Sequence, residues 1–153
     1  MEAGADRGFG LPAPLVRAIL AALAAIQAAD GLYALLAPRS FYDDFPLGRG
    51  WVEALPAYSE HLVRDVGGLF LATAIVLAAA AIWLERRLVL VALVSFLAFS
   101  IPHTTYHLLN LGPYGTFDAV ANVIALGFRV VGPLVILAAM VRARTAPALP
   151  PER

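Results

Sequence analysis

The sequence contains no cysteine and no lysine. The first absence excludes disulfides, thiolate catalysis and cysteine-based zinc or iron–sulfur sites. The second excludes a lysine Schiff base; all 11 basic residues are arginine. Charge is scarce as well, at 14% of 153 residues, where soluble domains carry nearer a quarter. The net charge is zero, which provides no field for nucleic acid or for an acidic partner. Apolar residues are abundant instead: 61% by the broad count, with a mean hydropathy of +0.78.

This length suits one domain, and the composition suits a membrane. Four segments, at about 14–36, 59–84, 88–109 and 116–141, are long and apolar enough to cross a bilayer, which takes about 20 helical residues. The expected fold is therefore all-α, an integral membrane four-helix bundle occupying 1–144, with a Pro-rich disordered tail at 145–153. Pro38 and the stretch Leu111-Gly112-Pro113-Tyr114-Gly115 read as stop signals, and Ser59 as an N-cap. A cleaved signal peptide is the rival reading of the first segment. Against it, the segment is long, carries Gln27 and Asp30, and is followed by no A-x-A site.

Arginine placement orients the spans. Arg7, Arg17, Arg86, Arg87, Arg142 and Arg144 fall on one side, and only Arg39 and Arg49 on the other. The positive-inside rule then places both termini in the cytoplasm and the loop from Arg39 to Tyr58 outside. Phe41, Tyr42, Trp51, Tyr58, Tyr114 and Phe117 read as an outer interfacial belt, with Trp83 at the inner edge.

Each span carries polar residues at helical spacing. The first has Gln27, Asp30 and Tyr33; the second His61, Arg64, Asp65 and Gly68; the third His103, Tyr106, His107 and Asn110; the fourth Asp118, Asn122 and Arg129. Hydrocarbon cannot satisfy such groups, so these faces should turn inward. Antiparallel spans bring most of them into the outer half. Asp30, His61, Arg64, Asp65, His103, Tyr106, His107 and Asn122 are thus the candidate ligand-binding set, facing a common interior.

Three readings of that set remain open. One is a polar pocket for a small amphipathic ligand, with histidines as hydrogen-bonding or proton-exchanging groups and Arg64 fixing a carbonyl or anionic group. Another is a metal or haem site built on His61, His103 and His107, although Thr104-Thr105 supplies no Glu for an H-E-x-x-H motif. The last is a structural network holding helices in register, with Arg129 paired to Asp65 or Asp30, perhaps within a larger complex or a homo-oligomer.

The stretch Arg64-Asp65-Val66-Gly67-Gly68-Leu69-Phe70-Leu71-Ala72 resembles the second-helix signature of small bacterial four-span proteins of the DoxX-like neighbourhood. Pro102-His103-Thr104-Thr105-Tyr106-His107-Leu108 resembles a feature of an uncharacterised actinobacterial branch. The resemblance implies a multi-pass protein of the bacterial cytoplasmic membrane. Because some relatives serve quinone-linked oxidoreductases, it also implies a quinone as a possible ligand, and it carries over no catalytic residue.

The arginine asymmetry yields a direct test. Reporter fusions at Ser40 and Leu111 should both report the extracytoplasmic side; a cytoplasmic signal at either would overturn the orientation.

Overall fold

A computed structural model describes residues 8–55 and 57–145. Arg7 and the tail at 146–153 lie outside the described residues. The described chain is helical: α1 (Ala13–Leu36), α2 (Pro38–Asp44), α3 (Glu60–Trp83), α4 (Arg86–Leu109) and α5 (Thr116–Thr145). Four of these, all but α2, are long and apolar enough to span a membrane. The protein is a four-helix membrane bundle, as the hydropathy pattern implies.

The boundaries follow local chemistry. Ser59 occupies the N-cap of α3 in extended geometry, yet its side chain makes no capping bond. Pro38 ends α1 and also opens α2, because its fixed φ and missing N–H suit a first helical turn. The sequence reading anticipated only the stop. Leu84 closes α3 in the left-handed conformation, and α4 begins at Arg86, so α3 and α4 form a tight antiparallel pair. α4 runs unbroken through Pro102, and α5 continues past its expected end to Thr145.

α1 and α3 form the closest contact in the bundle. A methyl group placed on Gly67 would lie 2.8 Å from the Leu35 backbone nitrogen and 3.0 Å from the Gly31 carbonyl oxygen. One placed on Gly31 would lie 2.9 Å from the Gly67 carbonyl oxygen. Small residues at such crossings let two backbones meet, a main source of helix association in lipid. Beyond this point the core is built from Val16, Leu20 and Leu23 of α1, Leu77 and Ala80 of α3, Val89, Leu93 and Phe96 of α4, and Ile136 and Met140 of α5.

Arginines fasten this end of the bundle. Arg17 Nε donates to the Ala81 carbonyl at 2.9 Å. Arg86 donates to the carbonyls of Met140 and Gly8 at 3.0 and 3.1 Å. The Ala81 carbonyl is one of the acceptors that the end of α3 leaves open. We call this the arginine end, and the end bearing α2 and the α4–α5 turn the loop end. The core fills the arginine half; the loop half holds the α1–α3 crossing and, beside it, a cavity.

Two adjacent glycines test the crossing. Gly67→Ala should destabilise the protein by about 1–3 kcal/mol, because its methyl group meets backbone. Gly68 has open space around it, so Gly68→Ala should stabilise by about 0.5–1 kcal/mol. Thermal unfolding in detergent checks both. Equal effects would refute the close approach.

Candidate functional site

The cavity measures about 490 Å³, within the range of small-molecule sites. Its walls come from all four long helices and from the segment joining α1 to α3. Most of the lining is apolar, including Phe45, Val52, Leu55, Leu62, Val66, Phe70, Phe99 and Leu126. Against that lining stand a few polar groups: Asp30, His103, Tyr106, His107, Asn122 and Arg129.

Arg129 forms the floor. It lies on the order of 16 Å along α5 from Asp118, near the middle of a span. Its guanidinium donates to the Asp30 carboxylate and to Gln27 Oε1 at 3.3 Å. Both side chains of the ion pair are close to 90% buried, with 11% and 12% exposed. Gln27, itself buried, passes its amide N–H to Thr73 Oγ1 at 3.0 Å. One polar chain thus ties α5 to α1 and α1 to α3, and it satisfies groups that hydrocarbon would leave bare.

One wall is a ladder of rings. Phe70 of α3 meets Phe99 of α4 edge-on at 5.2 Å, and Phe99 stacks on His103 at 5.0 Å. His103 in turn meets His107 at 4.7 Å. Phe99, His103 and His107 recur every four residues, so the helix places them on one face. The imidazole pair in the sequence drew attention to this face, but Phe99 belongs to it equally and its i−4 spacing was the available signal.

Asn122 stands out. It is 1% exposed, it lines the cavity, and neither its Nδ2 nor its Oδ1 has a hydrogen-bond partner. His107 Nδ1 is likewise buried without one. Buried polar atoms are nearly always paired, and an unpaired one costs about 1–3 kcal/mol.

The connecting segment covers the loop end. Phe41 and Tyr42, read as part of an interfacial belt, are instead buried at 7% and 9% exposure, and with Trp51 they line the cavity. Asp118 holds this cover down: its carboxylate accepts from Arg49 and from Trp51 Nε1 at 2.9 Å. The hydrogen bond that Arg49 donates to Asp118 raises the Arg49 pKa further, so Arg49 stays charged. Tyr114 donates its hydroxyl to the Trp51 carbonyl at 2.6 Å, and burial pushes its phenol pKa up.

Five expected site residues therefore come together with Arg129: Asp30, His103, Tyr106, His107 and Asn122. His61, Arg64 and Asp65 do not line the cavity, which corrects the expected single interior. α3 turns Gly67, Phe70, Ala74 and Leu77 inward. At 100° per residue, Asp65 then sits about 160° and His61 about 120° round the helix from Gly67. The two face outward and pair with each other at 3.3 Å. Arg64 reaches across the crossing to the Leu35 carbonyl and back to Glu60, so it fastens the end of α1. Of the two acids expected to pair with Arg129, Asp65 is ruled out for the same reason and Asp30 is the partner. Nor do His61, His103 and His107 form one cluster; among the described residues no three His, Cys, Asp or Glu groups are placed to hold a metal ion.

Compared with protein-family models, curated proteins and solved structures, the chain matches none.

Charge pairing makes the floor testable. Asp30→Leu alone should cost about 3–5 kcal/mol, since it strands Arg129, and combining it with Arg129→Met should recover much of that loss. Asp65→Asn should shift stability by less than about 0.5 kcal/mol. Unfolding of purified variants reads all three; a larger penalty for Asp65→Asn than for Asp30→Leu would refute the assignment.

Proposed function

We propose that this integral membrane protein binds a small amphipathic molecule in the cavity at its loop end. The observation that carries the reading is Asn122, a fully buried amide with both polar atoms unpaired, on the wall of an otherwise apolar space. A bound molecule supplying a hydrogen bond there would remove the penalty of the unpaired amide. His107, with its own open nitrogen, and Tyr106 and His103 offer further contacts. The ring ladder and the Phe41, Tyr42 and Trp51 cover provide the flat, apolar surface that an aromatic head or acyl chain requires.

A quinone and a lipid both answer this description. The resemblance of Arg64–Ala72 to DoxX-like proteins favours the quinone and a place in the bacterial cytoplasmic membrane, and the arginine asymmetry favours both termini inside. The metal or haem reading has less support, because His61 stands apart from the histidine pair.

Solvent extraction of protein purified in mild detergent, followed by mass spectrometry, tests the reading. A stoichiometric lipophilic molecule is expected from the parent and at least tenfold less from Asn122→Leu. Stripped of ligand, Asn122→Leu should melt at or above the parent, because it removes an unsatisfied amide. A Soret band or stoichiometric metal, with no extractable molecule, would overturn the proposal.

A further inference from the structure

The charges, the open hydrogen-bonding atoms and the rim of the cavity together narrow the class of ligand; this step rests on the ligand-binding reading above. Among the described lining residues the formally charged groups are Asp30 and Arg129. They are bonded to each other, and Arg129 spends a further donor on Gln27. At pH 8, above the ordinary imidazole range, His103 and His107 add no charge, and the fixed charges around the cavity sum to zero. An anionic head would enter an apolar space without a free cation, and burying an unpaired charge is costly.

Asn122 adds a second constraint. Its amide carries a donor and an acceptor, both buried and both unpaired. A head with acceptors alone would leave Oδ1 unpaired, and one with donors alone would leave Nδ2 unpaired. The rim adds a third. Leu62 and Val66 of α3 and Tyr106 of α4 line the cavity and are also 62%, 37% and 51% exposed. These residues lie on two neighbouring spans, so the cavity reaches the lipid-facing surface between α3 and α4. The loop end, in contrast, is covered by α2, Phe45, Trp51 and Leu55, held by Asp118 and Tyr114.

We infer that the cavity takes an uncharged, membrane-soluble molecule whose head carries both a hydrogen-bond donor and an acceptor, as a hydroxyl does, and that it excludes anionic headgroups. The head sits against Asn122, and the tail leaves between α3 and α4. A monoacylglycerol shares this chemistry, and so does an alkyl hydroquinone, the reduced form of the quinone favoured above; the oxidised quinone, with acceptors alone, would leave Oδ1 unpaired.

Fluorescence titration in zwitterionic nanodiscs at pH 8 tests it. Trp51 lines the cavity, and a Trp83→Phe background removes the other tryptophan. The probes are a monoacylglycerol, an alkyl hydroquinone and a permanently anionic alkyl sulfonate of matched chain length. At least one neutral probe should bind tenfold or more tighter than the sulfonate, and the tighter of the two identifies the source. Asn122→Leu should weaken that probe at least tenfold. Asp30→Asn, which frees a positive charge, should narrow the gap to the sulfonate wherever it folds; the parent comparison decides the matter without it. If the sulfonate binds as tightly as the neutral probes and Asn122→Leu weakens it too, neutrality is refuted while a ligand site stands. If no probe binds, both readings fall.

Discussion

Everything at the loop end depends on how a guanidinium is accommodated in hydrocarbon. Arg129 lies far from either end of α5, where an unpaired charge is prohibitive. Asp30 neutralises it, and Gln27 and Thr73 extend the bonding across α1 to α3. That chain fixes the rotation of three helices at once. It also forms the floor of the cavity, and because it is internally neutral it leaves the space above it uncharged.

The second constraint is steric. Gly31 and Gly67 bring α1 and α3 into backbone contact, which fixes which face of α3 turns inward. Phe70 then meets Phe99, and the histidines follow Phe99 along α4. The arginine half is closed by close-packed aliphatic side chains, while the loop half is left open and roofed by α2 and Trp51. The two halves differ in filling: one is packed throughout with aliphatic side chains, and the other, tied by the crossing and the Arg129 chain, keeps a shaped space with a few unpaired polar atoms.

Number and length of spans were legible from the sequence because hydrocarbon thickness and backbone hydrogen bonding leave few alternatives. The burial of Asp30, Asn122 and Arg129 was legible for the same reason. The rotation of α3 was not. His61, Arg64, Asp65 and Gly68 form a regular polar stripe, but Gly67, Phe70, Ala74 and Leu77 form an equally regular apolar one. Only the partner helix decides between them, and Gly67 rather than Gly68 meets α1. The cover was hidden differently. Phe41, Tyr42 and Trp51 have the composition of an interfacial belt; the helix opening at Pro38 that turns Phe41 and Tyr42 inward is too short to leave a periodic signal, and Trp51 is held by Asp118, distant in sequence.

The central claim is that Asn122 awaits a partner that the protein does not supply. An experimental structure of the protein, isolated from its membrane without solvent extraction, tests this most directly. The account predicts an elongated non-protein molecule in the cavity, its head within hydrogen-bonding distance of the Asn122 amide and its tail passing between α3 and α4. A cavity holding only water, or an Asn122 bonded to another protein side chain, would contradict it.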